Sequence, residues 1–182
     1  AITKGSKVTF HGLDLNDYAG EKAFVQILKD MGAKIEVVDN GLGGITVEGG
    51  HPLQGIEIDC SGTPDAVPIL SVLGCYAQGK TVLKNIGACR LKETDRAKSI
   101  RQELEKMGAT FEETQDSLTI YHSKLHGAKL NGHHDHRIVM ASSVAALIAE
   151  GPSEVEHAEY AAVSFPNFYE LMTSINANII RQ

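Results

Sequence analysis

Arg90-Leu91-Lys92-Glu93-Thr94-Asp95-Arg96 places five charged side chains within seven residues. It follows an apolar run with strand character at Thr81–Ile86 and precedes a run with helix character at Ala97–Met107. A charged turn between a strand and a helix is where α/β proteins often carry binding and catalytic groups. The other interpretation is a solvated loop, in which Thr94 caps the helix and Asp95 faces the helix dipole.

The composition limits the classes of function. The chain has 182 residues, 42% of them hydrophobic and 22% charged, and a net charge of −6. This length can bury a core without disulfides. The negative charge gives no general attraction to nucleic acid or membranes, so any anion site must be local. Cys60, Cys75 and Cys89 are odd in number and lack metal-binding spacing, which predicts reduced thiols in the cytoplasm.

The hydrophobic runs and the N-terminus indicate a chain without a membrane span. Ala66–Ala77 and Ile138–Ala149 are twelve residues each, too short to cross a bilayer. The first residues, Ala-Ile-Thr-Lys-Gly, carry no apolar signal core. They also lack a starting Met, so we expect a processed or cut piece.

A long repeat organises the chain. Met31-Gly32-Ala33 recurs 76 residues later as Met107-Gly108-Ala109, and Leu53-Gln54-Gly55 recurs 72 residues later as Leu125-His126-Gly127. Each copy reads strand–helix–strand–strand–strand–helix, at about 6–80 and 81–152, and a partial third copy fills 153–182. Long repeats indicate one supersecondary unit that cannot bury its apolar face alone.

This repeat predicts an α/β fold of βαβαββ-type units, in which small sheets pack around largely apolar helices. Thr63 and Pro64 are expected to open the second helix, with Thr63 as its cap and Pro64 in its first turn. Asn40-Gly41 is typical of a hairpin turn.

The overlaid copies carry different polar residues at equivalent junctions. Lys92-Glu93 falls on Asn16-Asp17, and Asp65 falls on Arg137. A purely structural repeat should conserve its helix caps, whereas here a carboxylate replaces a guanidinium. We therefore expect a site that is spread over several strand-to-helix junctions.

The segment from His133 to Arg137 is the second candidate region. A cation at Arg137, in the first turn of a helix, opposes the helix dipole, which favours a role in binding an anion. Asp65 lies in a first turn as well, where the dipole alone could explain it. The histidines around Asp135 fit no standard zinc spacing, so we predict no metal. His136 is expected to be a hydrogen-bonding or acid–base partner.

Four motifs, taken together, resemble 5-enolpyruvylshikimate-3-phosphate synthase. They are Thr63-Pro64-Asp65-Ala66, Arg90–Arg96, Asp135-His136-Arg137-Ile138-Val139-Met140-Ala141 and Ser164-Phe165-Pro166. The resemblance covers nearly the whole chain and implies a fold of two lobes, each with three repeated units around buried parallel helices. Residues 1–182 are similar to the C-terminal lobe only. The missing partner would be the N-terminal lobe, with roughly half of the active site.

The resemblance also implies roles. Asp65 would be the base-like carboxylate at the shikimate ring hydroxyls, and Glu93 the acid–base group at the enolpyruvyl carbon. Lys92 would contact shikimate 3-phosphate, while Arg96 and Arg137 would hold phosphoenolpyruvate. Adding a hydroxyl to an enol phosphate needs a base, an acid and fixed cations. No metal or cofactor is implied.

Two positions depart from the family pattern, and two rival functions stay open. Val163 stands where the family usually has a lysine, and Ala88-Cys89 where a polar Asn or His tends to occur. One rival is a degenerate lobe that binds a ligand or partner without catalysis. The other is a lobe of UDP-N-acetylglucosamine enolpyruvyl transferase, against which the Lys92–Arg96 stretch argues.

Overall fold

The computed structural model describes residues 1–13, 23–38 and 43–180. The strands are β1 (Lys7–His11), β2 (Lys34–Val37), β3 (Gly44–Glu48), β4 (Glu57–Asp59), β5 (Lys80–Lys84), β6 (Thr110–Glu113), β7 (Ser117–Tyr121), β8 (Lys129–Asn131) and β9 (Glu154–Glu156). The α-helices are α1 (Ala23–Asp30), α2 (Val67–Tyr76), α3 (Arg96–Lys106), α4 (His136–Ile148) and α5 (Phe168–Ser174). Short 3-10 helices cover Pro64–Ala66, Gly87–Leu91 and Ala158–Val163. The predicted turn at Asn40-Gly41 and the overlay positions Asn16-Asp17 lie outside the described residues.

The described strands form three small sheets. One has the order β1-β3-β2 and is antiparallel. The second has the order β4-β5-β7-β6, in which β4 is parallel to β5 and the other pairs are antiparallel. The third consists of β8 and β9 in parallel. Small sheets combined with helices agree with the predicted α/β class.

Three helices form the centre of the fold. α2, α3 and α4 all pack against one another. Eight of the ten residues of α2 are buried, because apolar side chains such as Leu70, Val72 and Leu73 surround the helix and leave it no polar face. The interior position predicted for the largely apolar helices is therefore confirmed for α2. α3 instead buries one face, which includes Ile100 and Leu104.

Equivalent backbone hydrogen bonds recur at the offsets of the sequence repeat. The Gln54 amide donates to the Met31 carbonyl at 2.8 Å, and the His126 amide donates to the Met107 carbonyl at 3.0 Å. The first bond joins the C-terminal end of α1 to the segment before β4, and the second joins the C-terminal end of α3 to the segment before β8. The recurrence supports one unit used more than once, while the boundaries 6–80, 81–152 and 153–182 stay a prediction.

The sheets divide the same helices and strands into units that begin one strand earlier, at β4 instead of at β5. β4, α2, β5, α3, β6 and β7 follow one another in βαβαββ order, and their four strands share one sheet. β1 occupies the position in its sheet that β5 occupies in the larger sheet. Among the described residues, however, no strand pairs with β1 as β4 pairs with β5. The sheet of β8 and β9 has only these two strands in the same part of the chain. In this grouping of the described residues, one complete unit is flanked by two partial ones.

The predicted side-chain cap at Thr63 is wrong. Thr63 occupies the N-cap position of the 3-10 helix, but its hydroxyl makes no capping bond and has no hydrogen-bond partner among the described residues. Pro64 and Pro68 lie in the first turns of this region and carry no N–H, so fewer donors need a cap.

The solvated-loop interpretation placed a helix cap at Thr94, which is also wrong, since Asp95 takes that place. The Asp95 carboxylate accepts the Lys98 amide at 3.1 Å, and α3 begins at Arg96. Aspartate is a better N-cap acceptor than threonine. The Thr94 hydroxyl donates to Asp135 instead, at 3.4 Å.

Two glycines allow equivalent close approaches of the backbone and provide a test of the fold. A Cβ at Gly55 would collide with the Lys80 carbonyl, and one at Gly127 with the Pro152 carbonyl. We expect Gly55→Ala and Gly127→Ala each to lower the free energy of unfolding in urea by about 1–3 kcal/mol. Gly62→Ala is the control, because nothing lies within 4 Å of that Cβ. Equal losses of stability at all three positions would contradict the close backbone approaches at Gly55 and Gly127.

Candidate active site

A buried guanidinium lies at the centre of the site. Only 1% of the Arg96 side chain is exposed. Its Nε donates to Asp135 Oδ2 at 2.8 Å, its Nη1 to Asp65 Oδ1 at 2.8 Å and its Nη2 to Glu93 Oε2 at 2.6 Å. Arginine stays protonated in proteins, so the three carboxylates compensate a permanent buried charge.

Each of these carboxylates comes from a segment that leads into a central helix. Asp65 lies in the 3-10 turn before α2, Glu93 lies shortly before α3, and Asp135 is the N-cap of α4. The ion pairs with Arg96 therefore bring the N-terminal ends of three helices together. This confirms the predicted convergence of strand-to-helix junctions on one place.

Asp65 contacts two further cations. Lys92 Nζ lies 3.1 Å from its Oδ1, and Arg137 Nη2 lies 3.8 Å from its Oδ2. Burial raises the pKa of the Asp65 carboxyl, but the Lys92 hydrogen bond and the charges of Arg96, Lys92 and Arg137 outweigh it, so the net pKa is lowered. Asp65 is therefore ionised at neutral pH.

Arg137 has donors that no side chain of the described residues occupies. Its backbone amide donates to Asp135 Oδ1 at 2.8 Å in the first turn of α4. Its side chain is 36% exposed, and its buried Nε has no hydrogen-bond partner among the described residues. A guanidinium at a helix N-terminus with donors left over can bind a phosphate or a carboxylate.

Glu93 and His136 lie side by side at the edge of the cluster. Glu93 exposes 48% of its side chain, and its Oε1 lies 3.8 Å from His136 Nδ1. This separation is longer than a hydrogen bond. His136 itself is buried at the start of α4, whereas the Glu93 side chain reaches solvent.

Asp135 is a site residue that sequence reasoning missed. It was expected only as part of a motif, yet it is fully buried and joins the Arg96 guanidinium to the Arg137 amide. An Asp directly before an apolar helix is the usual signal of an N-cap. That signal locates the cap, but it does not reveal the buried arginine.

Arg90 braces the charged turn. Its guanidinium pairs with Asp95 at 3.0 Å and with Glu113 at 2.7 Å. It also donates to the carbonyls of Thr114 at 2.8 Å and Gln115 at 2.9 Å. These contacts hold the turn against the β6–β7 hairpin.

The two departures from the family pattern occupy different surroundings. Val163 is 68% exposed at the end of the third 3-10 helix, which packs on α4. Ala88 is exposed, whereas Cys89 is fully buried. Burial raises the pKa of the Cys89 thiol to about 11, so Cys89 is a core residue and not a nucleophile at neutral pH.

Neither a metal-binding cluster nor a membrane-spanning helix occurs among the residues that the structure describes, 1–13, 23–38 and 43–180. No group of three or more His, Cys, Asp or Glu side chains is arranged to hold a metal ion there. No helix in that part of the chain is long and apolar enough to span a membrane.

A family model described as EPSP synthase (3-phosphoshikimate 1-carboxyvinyltransferase) matches residues 1–172. The chain belongs to the EPSP synthase family. The match covers every side chain of the Arg96 cluster together with Lys92, His136 and Arg137. It confirms the resemblance that the four sequence motifs indicated.

Similar proteins agree with this assignment. The chain is 46% identical over 175 residues to 3-phosphoshikimate 1-carboxyvinyltransferase of Methanocaldococcus jannaschii, covering 96% of this chain and 40% of the relative. EPSP synthase from Acinetobacter baumannii has a TM-score of 0.86 at 31% identity, covering 97% of this chain and 43% of that one. The enolpyruvyl transferase NikO from Streptomyces tendae, with a TM-score of 0.71 at 20% identity, shares the fold. The chain thus spans about two fifths of the curated relatives that it matches.

The Arg96 cluster predicts a large difference between two aspartates that both cap helices. Asp135→Asn keeps an acceptor for the Arg137 amide but removes a charge from buried Arg96, so the free energy of unfolding in urea should fall by about 3–5 kcal/mol. Asp95→Asn is the matched control, because the Asp95 side chain is 35% exposed. Its loss should be about 1 kcal/mol or less. A larger loss at Asp95 than at Asp135 would show that the cluster is not the main constraint.

The cations around Asp65 predict a change in its pKa. Lys92→Met removes a hydrogen bond and a charge that lower this pKa, so the pKa should rise when the carboxyl carbon is followed by NMR against pH. Because the folded pKa lies below the unfolded one, ionised Asp65 stabilises the fold above the unfolded pKa, and this stabilisation is lost as pH falls through the folded pKa. Lys98→Met, at an exposed position of α3, should leave the pKa unchanged. An unchanged Asp65 pKa in Lys92→Met would refute the conclusion that Lys92 lowers this pKa.

Proposed function

We propose that this chain is the C-terminal lobe of an enolpyruvyl transferase that moves the enolpyruvyl group of phosphoenolpyruvate to shikimate 3-phosphate, in aromatic amino-acid biosynthesis. The relative from Methanocaldococcus jannaschii carries the name of this activity. The observation that carries the proposal is the set of cations and carboxylates at the helix N-termini. Both substrates are anions, and their reaction is a proton-coupled addition and elimination.

Lys92 and Arg137 are the proposed anion-binding groups. Both contact Asp65, and both keep part of their side chains exposed. Lys92 would take the phosphate of shikimate 3-phosphate, and Arg137 would take the phosphoenolpyruvate anion. Binding would draw these cations from Asp65 toward the ligands, so the pKa of Asp65 would rise toward its ordinary value. Asp65 would thereby become a stronger base once both substrates are present.

Arg96 is proposed to bind the phosphoenolpyruvate anion together with Arg137. A guanidinium has five N–H donors, and each of its three nitrogens already donates to one carboxylate. Two donors remain for a ligand. The half-exposed Glu93 would have to swing outward before an anion could reach them, because Arg96 itself is almost fully buried.

Glu93 and Asp65 are the proposed acid–base pair. Asp65 would accept the proton of the attacking hydroxyl, and Glu93 would deliver a proton to the methylene carbon and later remove one as phosphate leaves. His136, whose Nδ1 lies 3.8 Å from Glu93 Oε1, would exchange a proton with that carboxyl once the two groups approach. No metal or cofactor takes part in the proposed scheme.

The rest of the protein would supply the remaining half of the site. The partial units at β1 and at β8–β9 each leave a sheet incomplete among the described residues, and the chain spans about two fifths of its relatives. The missing N-terminal lobe would bring further cations and exclude water from the reacting carbons. A cytoplasmic location stays a prediction, supported by three buried free cysteines.

Phosphate release tests the proposal. The 182-residue chain alone should give no turnover with both substrates at millimolar levels, because one lobe leaves the reacting carbons open to water. A chimera in which this chain replaces the matching 175 residues of the Methanocaldococcus jannaschii relative should be active. In that chimera Glu93→Gln should reduce kcat by about 10²–10⁴-fold.

Glu150→Gln is the matched control for the chimera, since Glu150 is exposed and pairs with Lys124, and it should keep the parent rate. A folded but inactive chimera would favour the degenerate lobe, for which exposed Val163 is the structural argument. Turnover by the isolated chain, or full activity in Glu93→Gln, would refute the proposed roles.

A further inference from the structure

A second buried charge lies on the same face of α3 as Arg96. Glu103 follows Arg96 by seven residues, which is about two helical turns. Only 2% of its side chain is exposed. A buried carboxylate is unfavourable unless hydrogen bonds and opposite charges satisfy it, so its partners indicate why it is there.

Glu103 is bound chiefly to the end of β8 and the residues that follow it. Its Oε2 accepts the Asn131 amide at 2.8 Å and Lys106 Nζ at 2.6 Å, and its Oε1 lies 2.8 Å from His133 Nε2. Burial raises the pKa of the Glu103 carboxyl, but the bonds from Lys106, Asn131 and His133 outweigh it and lower the pKa. Glu103 is therefore an ionised acceptor at neutral pH.

This segment has an unusual backbone. His133 has φ 50° and His134 has φ 55°, so two consecutive residues other than glycine adopt the left-handed conformation. Such conformations are strained and persist only where surrounding contacts fix them. The His133 amide donates to Asn131 Oδ1 at 2.7 Å, and the Asp135 amide donates to the Gly132 carbonyl at 2.9 Å. Glu103, which lies on α3, contacts this turn through Asn131 and His133 and so stabilises it.

The same helix therefore holds both ends of the turn. Glu103 binds Asn131 and His133 at its beginning, and Arg96 binds Asp135 at its end. Asp135 in turn caps α4 at the Arg137 amide. The position of Arg137 relative to Arg96 thus depends on a turn that two buried charges on α3 fix in place.

We propose that Glu103 is a positioning residue of the active site, which fixes the Asn131–His134 turn and through it the placement of Asp135, His136 and Arg137. It acts through these residues, and the kinetic part of the inference rests on the proposed function. A role in packing alone would be served better by an apolar side chain at this buried position.

The first test uses the 182-residue chain and NMR. Glu103→Ala should shift the amide signals of Asp135 and Arg137 and speed hydrogen exchange of the Asn131 amide by about tenfold or more. Glu103→Gln keeps an acceptor oxygen for Asn131, so it should retain part of the native signals. Glu105→Ala, which loses only a partly exposed pair with Arg101, should change neither.

The second test measures kinetics in the chimera at temperatures where each variant is folded. Glu103→Ala should lower kcat/KM for phosphoenolpyruvate by about ten- to hundredfold, with Glu103→Gln intermediate and Glu105→Ala unchanged. The KM for phosphoenolpyruvate should rise more than the KM for shikimate 3-phosphate, because Arg137 is displaced and Lys92 is not. A purely stabilising role would lower the melting temperature and leave kcat/KM of the folded variant unchanged.

The two tests separate the two proposals. If the parent chimera has no turnover, the proposed function fails, and the NMR experiment still decides whether Glu103 positions the turn. If Glu103→Ala does not fold, Glu103→Gln decides through the His133 ring and the Arg137 amide signals. Native Asp135 and Arg137 signals in a folded Glu103 variant would overturn the inference.

Discussion

The charge of Arg96 constrains the rest of this structure. It cannot be removed by titration, and with 1% of the side chain exposed, water does little to screen it. The compensating carboxylates of Asp65, Glu93 and Asp135 precede three different helices. Separating any two of these helix N-termini would therefore remove at least one of the carboxylates that compensate this buried charge. The ion pairs that join these helix N-termini also bring together the proposed acid–base groups.

The site divides into a fixed part and an exchangeable part. Arg96 and Asp135 are almost completely buried and paired with each other, and they form the fixed part. Lys92 and Arg137 keep about a third of their side chains exposed and reach Asp65 from the open side. In the proposed function, an anionic ligand replaces Asp65 as the partner of these two cations. Lys92 and Arg137 would then bind ligands without breaking the buried pair, whereas Arg96 would serve both stability and binding.

The sequence predicted what depends on local spacing. Helix anchors such as Ile100 and Leu104 are fully buried, and the repeat offsets recur in backbone hydrogen bonds. Where a unit begins was not predictable in the same way, because β4 joins β5 through pairing between distant residues. The N-cap at Asp95 was missed for a smaller reason. Thr94 and Asp95 both suit a cap, and only the contact of Thr94 with Asp135 separates them.

The sequence of α3 carries a signal that Glu103 is buried, although this signal is easily overlooked. In the sequence Glu103 resembles one half of a solvated pair with Lys106, three residues later on the same helix. Its spacing says otherwise, because Arg96, Ile100, Glu103, Leu104 and Met107 follow the 3.6-residue period of one helix face. Ile100, Leu104 and Met107 define that face as buried. Charged residues on a buried face require buried partners, so the pattern of α3 already implied that other segments must supply them. Which segments these are depends on tertiary packing, and here Arg96 and Glu103 both contact residues between Asn131 and Asp135.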